Sequence, residues 1–163
     1  MAHQPRPGWL LASPGRLLAF GLGTGLSPVA PGTAGTLIAV PLYLLAQGLP
    51  LPVYTALVLG LAIAGIWICG SAARELGVHD HPGIVWDEIV GYLITMLAAP
   101  HGWAWVVAGF ALFRLFDVAK PWPCGWIDRK LAGGLGIMLD DIVAGVYGWI
   151  CLQLAAMWLA GRV

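Results

Sequence analysis

The stretch LPVYTALVLGLAIAGIWICGSAA, residues 51–73, decides the fold class of this chain. It carries no charged side chain and exceeds the roughly 20 apolar residues that a helix needs to cross the hydrocarbon core of a membrane. A helix is the only single segment that satisfies its own backbone polar groups in such a medium. The stretch therefore predicts a membrane-spanning helix.

Four further apolar segments surround this helix, at about 34–48, 84–99, 103–118 and 138–160. Residues 142–161 lack charges and form the second clear candidate span, whereas the first segment contains Pro41. The segments 84–99 and 103–118 are short for a span, so they are tilted, partly embedded or core helices. We expect a single all-α domain over residues 1–163, a multihelical membrane-associated bundle of about five to six helices. Whether residues 1–12 are flexible is left open.

Composition supports a membrane protein and excludes several other classes. Of the residues, 60% are hydrophobic and 10% are charged, against about 25% charged in ordinary globular domains. The net charge is zero, so no broad positive field is available for nucleic acid, and we predict no nucleic-acid partner. The cysteines Cys69, Cys124 and Cys151 form no CxxC pair and are interpreted as packing residues. The N-terminal segment fits a cleaved signal peptide poorly, so we expect it to be retained.

The basic residues predict which side of the membrane the polar loops occupy. If the five segments alternate in direction, all basic residues but Arg162 fall on one side, which the positive-inside rule makes cytoplasmic. These are Arg6, Arg16, Arg74, Arg114, Lys120, Arg129 and Lys130. The same side collects the eight carboxylates. We therefore expect a polar site at the cytoplasmic ends of the helices.

Two acidic pairs are the strongest candidates for chemistry. WDEIVGY at 86–92 resembles LDDIVAGVY at 139–147, and we expect each pair, Asp87/Glu88 and Asp140/Asp141, within the first turn of a helix. A glycine four residues after Asp87 and after Asp141 would permit close helix approach. Carboxylates on facing helices suit a hard divalent cation, Mg²⁺ in particular. The alternative is that they are solvated acids that only stabilise helix starts.

A Gly-rich segment, FGLGTGLSPVAPGTAGT at 20–36, is a candidate phosphate-binding loop. Glycine lets the backbone approach an anion, and hydroxyls with a following helix start add donors. The segment lacks a nucleotide-binding GxxxxGK[ST] pattern, and the alternative is a plain turn between helices. The candidate residues are Gly23, Gly25, Ser27, Gly32, Thr33, Gly35 and Thr36.

The segment FRLFDVAKPWPCGWIDRK, residues 113–130, supplies candidate cations. Arg114 and Asp117 are three residues apart and would share a helix face. Arg114, Lys120 and Arg129 are expected to neutralise a phosphate, the alternative being anchoring at the membrane surface beside the tryptophans of this segment. The spacing of Cys124 and Arg129 does not match the loop of cysteine phosphatases, so a thiol nucleophile is not expected.

A third motif, GVHDHPGIVWDE at 77–88, places His79, Asp80 and His81 just before the first acidic pair. Histidine side chains exchange protons near neutral pH, so these residues are candidate proton donors to a leaving group. The alternative is that they are ordinary turn residues.

These motifs together closely resemble the phosphatidylglycerophosphatase A family of bacterial lipid phosphatases. The resemblance spans nearly the whole chain and is carried by GLGTGLSPVAPGTAGT (21–36), GVHDHPGIVWDEIVGY (77–92), FRLFDVAKPWP (113–123) and GGLGIMLDDIVAGV (133–146). It implies Mg²⁺-dependent hydrolysis of phosphatidylglycerophosphate to phosphatidylglycerol by an all-helical protein of the bacterial inner membrane. Both acidic pairs, Arg114, Asp117, Lys120 and Asp128 occupy the places that the resemblance requires.

Other function classes make different predictions. A small membrane transporter would place acids along its spans, and here they cluster at one end. A structural membrane subunit would release no phosphate. Transfer of phosphate to an alcohol by a CDP-linked enzyme would need a DxxDGxxAR run, which is absent. The oligomeric state and the number of metal ions are left open by the sequence.

Overall fold

A computed structural model describes residues 5–78 and 81–161, which form helices and no strand. Five helices are long, and their ends follow the apolar segments of the sequence. In chain order the helices are α1 (Pro7–Leu11), α2 (Pro14–Ala19), a 3-10 helix (Gly21–Leu26), α3 (Pro31–Ala46), α4 (Leu51–Leu76), α5 (Trp86–Thr95), α6 (Trp103–Ala119), α7 (Cys124–Lys130) and α8 (Gly133–Ala160).

The all-α class is confirmed, but the expected count of about five to six helices is wrong for the described residues. The extra elements are α1, α2, α7 and the 3-10 helix, which are too short to show an apolar period. Pro7, Pro14 and Pro31 each stand at a helix start, where proline costs no hydrogen bond. Pro41 does not end α3, which continues to Ala46.

Helix α8 is the centre of the bundle and packs against α4, α5, α6 and α7. Its glycines allow this contact: a Cβ on Gly134 would overlap the carbonyl oxygen of Ile66 in α4. A Cβ on Gly145 would lie 2.5 Å from the carbonyl oxygen of Gly91 in α5. The expected close approach of the two glycines that follow Asp87 and Asp141 is confirmed.

Two buried clusters form the core on either side of α5. One is built around Tyr92 and Phe113, and the other around Phe20 and Met138. Of the cysteines, Cys69 and Cys124 are buried and Cys151 is half-buried, and none forms a disulfide among the described residues, as their interpretation as packing residues requires.

Helices α4 and α8 are long and apolar enough to cross a membrane, judged by length and composition. The protein itself buries 39% of the most apolar part of α4 and 22% of that of α8. A core helix of a soluble protein would be mostly covered by its own chain. The outer faces instead carry exposed large apolar side chains, among them Ile63 and Trp67 on α4 and Leu154 and Met157 on α8.

Candidate active site

A cavity of about 330 Å³ brings together most of the polar residues that the sequence singled out. It lies where α3 and α5 begin, α6 ends and α8 passes by. The polar residues that line it are His81, Asp87, Glu88, Arg114, Asp117, Lys120, Asp140 and Asp141. Gly32 lines it as well, with Ala30, Pro31, Pro82, Ile84 and Val118, which sequence reasoning did not identify.

Three carboxylates from two helices converge in this cavity. Asp87, Glu88 and Asp141 each offer one oxygen, and these oxygens lie within 4.8 Å of one another. Asp87 and Glu88 stand in the first turn of α5, where the positive end of the helix dipole favours anions. Asp141 lies in α8, one helical turn before the contact between Gly91 and Gly145.

The second acidic pair does not begin a helix, and that prediction is wrong. Helix α8 starts at Gly133, no acid lies in its first turn, and Asp140 follows about two turns later. The two turns before the pair are helical although glycine disfavours a helix. Gly134 and Gly136 there fit closely against the backbone of Ile66 and Leu131, where a larger residue would overlap. The dipole of α8 therefore contributes little at these carboxylates, since the effect fades within the first turn.

Asp140 faces a different neighbour from Asp141. Its Oδ2 accepts a hydrogen bond from Lys120 Nζ at 2.8 Å, and it is not part of the three-carboxylate cluster. Consecutive helical residues diverge by about 100 degrees, so one member of the pair turns to α5 and the other to the end of α6. Three of the four carboxylates therefore form one cluster, and the fourth, Asp140, pairs with a cation.

Lys120 ends α6 in a left-handed conformation, with φ of 42°, and binds two carboxylates. Its Nζ lies 2.8 Å from Asp140 Oδ2 and 2.9 Å from Asp128 Oδ1. Burial lowers the pKa of the Lys120 ammonium, but the hydrogen bonds that it donates to Asp140 and Asp128, with their negative charges, outweigh this effect and raise the pKa. Lys120 is therefore a permanent cation at the cavity wall.

Arg114 is the second cation of the cavity. Its Nη1 donates a hydrogen bond to Asp117 Oδ2 and lies 3.6 Å from Glu88 Oε1. The shared face of Arg114 and Asp117 is confirmed. Gly32 makes room for this arrangement, because a Cβ there would overlap Glu88 Oε1 and lie 3.1 Å from Arg114 Nη1. Arg129, by contrast, is exposed in α7 and does not line the cavity.

The Gly-rich segment is not one loop. Gly23 lies in the 3-10 helix, whereas Gly32, Thr33, Gly35 and Thr36 belong to α3. Of the seven candidate residues in this segment, Gly32 is the one that lines the cavity.

Several of the other candidates in this segment serve packing or local hydrogen bonding. Gly25 packs against the Gly83 carbonyl, and Gly35 against Val85. Thr36 and Ser27 donate their hydroxyl protons to the carbonyls of Gly32 and Val29, at 2.9 and 2.8 Å. The structure thus shows local contacts for these residues, and their phosphate-binding role stays a prediction.

Two predictions about nucleophiles and proton donors have different outcomes. Burial raises the pKa of the Cys124 thiol, which disfavours a thiolate and agrees with the expectation of no thiol nucleophile. His79 and Asp80 lie outside the described residues. His81 is buried, lines the cavity and accepts a hydrogen bond at Nδ1 from the Gly83 N–H at 3.0 Å.

A larger cavity of about 490 Å³ lies on the other face of α5, where Trp86 and Ile89 point away from Asp87 and Glu88. Its wall is almost wholly apolar, with Leu42 and Leu57 among its residues and no charged side chain. It therefore lacks groups for acid, base or metal chemistry, and the smaller cavity is the candidate active site.

Comparison with known proteins finds relatives over most of the chain. A family model described as phosphatidylglycerophosphatase A matches residues 17–156. A protein of that name from Escherichia coli K12 is 51% identical over 138 residues, which cover 83% of this chain and 80% of that protein. One from Haemophilus influenzae is 42% identical over 154 residues, 91% of this chain and 93% of that protein.

A relative with a different name also aligns with most of the chain. A Bacteroides thetaiotaomicron protein named putative phosphatidylinositol-3-phosphatase is 42% identical over 153 residues, covering 89% of this chain and 94% of that protein. No solved structure matches the chain significantly.

Proposed function

The chain belongs to the phosphatidylglycerophosphatase A family and is a phosphatase, and we propose that it hydrolyses the terminal phosphomonoester of phosphatidylglycerophosphate to phosphatidylglycerol and inorganic phosphate. The observation that carries this proposal is the cluster of Asp87, Glu88 and Asp141, whose oxygens lie within 4.8 Å of one another beside two cations. Such a site suits a phosphate that is neutralised partly by a metal ion and partly by side chains.

We further propose Mg²⁺ as the cofactor. Its preferred ligands are carboxylate and phosphate oxygens at about 2.1 Å, so two ligands of one ion are at most about 4.2 Å apart. The three carboxylates meet this requirement with small side-chain adjustments. Bound there by Asp87, Glu88 and Asp141, the ion would polarise the phosphoryl group and acidify a water molecule.

The chain's own residues would share the remaining work. Arg114 and Lys120 would hold the phosphate and compensate the charge that accumulates on its oxygens, Arg114 through its planar fork and Lys120 as a point charge. Asp117 and Asp140 would orient these cations, which they already contact. The leaving glycerol oxygen needs a proton, for which His79 and Asp80 are the candidates, since the geometry of His81 suits another role.

We propose that the protein resides in the bacterial inner membrane, with α4 and α8 as spans and the cavity at the cytoplasmic ends. The small covered fraction of both helices supports exposure of their outer faces to lipid. The basic residues near the cavity end, among them Arg16, Arg74 and Lys130, support the orientation. A lipid head group could enter a cavity at the membrane surface while its acyl chains stay in the bilayer.

The test is phosphate release by the purified full chain in detergent or vesicles. We expect release from phosphatidylglycerophosphate that requires Mg²⁺ and stops with a chelator, together with slower release from phosphatidylinositol 3-phosphate, which a relative's name suggests. The variant Asp141→Asn should be inactive. Glu75→Gln is the matched control, because Glu75 pairs with Arg16 away from the cavity.

Three outcomes would contradict the proposal separately. Faster release from the phosphoinositide would overturn the substrate assignment. Full activity in the presence of a chelator would overturn the metal assignment. Wild-type rates for Asp141→Asn would overturn the carboxylate site itself.

A further inference from the structure

His81 is the one histidine among the described residues that lines the cavity, and its ring is held from several sides. Its side chain is 3% exposed. The Phe20 ring lies 5.6 Å away at an angle of 43°. The backbone of the same turn is fixed because the Ile84 N–H donates to the His81 carbonyl at 2.8 Å.

The hydrogen bond from the Gly83 N–H decides the chemical state of this ring. A backbone N–H can only donate, so Nδ1, at 3.0 Å, must present its lone pair. The neutral ring then carries its single proton on Nε2. Protonating Nδ1 would break the hydrogen bond and leave two N–H groups facing each other in a buried turn. Gly83 cannot readily move aside, because it packs against Phe20 and the carbonyl of Gly25.

A ring in this state is a poor acid, since losing the Nε2 proton would leave an imidazolate. It is also no base, because Nδ1 is occupied and Nε2 already carries a proton. What it offers is one hydrogen-bond donor. Nε2 is buried and makes no hydrogen bond with any residue that the structure describes. A buried polar N–H of this kind is stabilised when an anion accepts from it.

We propose that His81 is a phosphate-binding residue whose Nε2–H donates a hydrogen bond to the phosphoryl group of the substrate. This inference rests on the proposed phosphate site. It gives His81 a different role from the proton donor that the sequence suggested. No proton changes place in this role, because Nε2 keeps its proton while it donates to the phosphate. The cations Arg114 and Lys120 bind the same anion through charge, whereas the hydrogen bond from His81 fixes the orientation of the phosphate.

The first test is the tautomer, which does not depend on the lipid substrate. Nitrogen NMR of the full chain in detergent, labelled at histidine and assigned with His81→Gln, should show a proton on Nε2 and none on Nδ1. A proton on Nδ1 would overturn the proposal.

The second test is binding of inorganic phosphate in the presence of Mg²⁺, followed by calorimetry. His81→Leu should weaken binding by about 10- to 100-fold, as expected for a lost hydrogen bond to a charged group. His81→Gln should restore most of it, since the glutamine amide N–H can occupy the place of Nε2–H but cannot act as an acid. His101→Leu is the matched control, because His101 is exposed and does not line this cavity.

Equal phosphate affinity of His81→Leu and wild type would overturn the proposal, provided that both unfold at the same temperature. If His81→Leu unfolds at a lower temperature than the wild type, the result for His81→Gln decides. Weak phosphate binding by a His81→Gln variant that is as stable as the wild type would also overturn the proposal. A wild type that binds phosphate with these properties but releases none from phosphatidylglycerophosphate would contradict the proposed substrate and leave the His81 assignment intact.

Discussion

Gly91 and Gly145 face each other across the contact between α5 and α8, so closely that a Cβ on Gly145 would lie 3.2 Å from Gly91 Cα. Each glycine follows an acid by four residues, Asp87 in one helix and Asp141 in the other. Four residues is about one helical turn, so the contact places the two carboxylates next to each other. Helix packing at this point therefore sets the spacing of the proposed metal ligands.

Gly145→Ala should separate these helices and disturb the carboxylates. The new methyl group would meet backbone atoms of Gly91, which cannot rotate away, so we expect a loss of about 1–3 kcal/mol in the free energy of unfolding. Phosphate release should fall as well. Gly60→Ala in α4 is the control, because nothing lies within 4 Å of its Cβ position. An unchanged thermal midpoint and rate for Gly145→Ala would contradict the role of this contact.

Asp141→Asn and Asp140→Asn should have different effects on the metal. Asp141 belongs to the three-carboxylate cluster, so its amide variant should lose more than about 100-fold in Mg²⁺ affinity, beyond the loss typical of outer-shell groups. Asp140 pairs with Lys120, and its variant should lose about 10-fold or less. Titration calorimetry with Mg²⁺ measures both, and equal losses would show that the two acids act alike.

Lys120→Met should destabilise the protein through Asp140. Asp140 is 7% exposed, and removing the ammonium takes away a hydrogen bond that stabilises its buried charge, at a cost of about 1–3 kcal/mol. A double-mutant cycle with Asp140→Asn measures this interaction by denaturant unfolding.

In that cycle, Lys120→Met should lower the free energy of unfolding much less when Asp140 is already an asparagine. Additive effects would mean that the pair is not coupled. Lys130→Met, at an exposed position of α7, provides the baseline for loss of a lysine.

Gly32→Ala should reduce activity more than stability. The new methyl group would displace the Glu88 carboxylate and crowd the Arg114 guanidinium. Both groups are ends of flexible side chains, so they can shift with a smaller loss of stability than backbone atoms could. A displacement of this size at a catalytic group costs about 10- to 100-fold in rate. Gly48→Ala, where nothing lies within 4 Å of the Cβ position, should leave the rate unchanged. Wild-type kcat/KM for Gly32→Ala would contradict the placement of Glu88.

The long helices could be predicted from the sequence because an apolar run of sufficient length has few other options. The short helices could not, since α1 has five residues and α7 seven, too few for a periodic pattern. Their positions depend on tertiary contacts, such as that of Leu10, which is buried in the core.

The candidate site was predictable in composition but not in its division of roles. The residue types of the acidic pairs indicate metal chemistry, yet which of Asp140 and Asp141 turns toward α5 depends on the rotation of α8 in the bundle. The glycines were ambiguous for a similar reason. A glycine that approaches an anion and one that packs against a neighbouring segment look alike in sequence. Gly25, next to the Gly83 carbonyl, and Gly35, next to the Val85 side chain, are of the second kind.

The late position of the acids in α8 also divides this helix into two parts. Asp140 follows Gly133 by seven positions, or about 10 Å along the helix axis. The first two turns pack against α4, where Gly134 lies against the Ile66 carbonyl, and the acids follow only after that contact. The residues that hold α8 in place are therefore separate from those that would bind the metal, so a change at one part of the helix can be made without altering the side chains of the other.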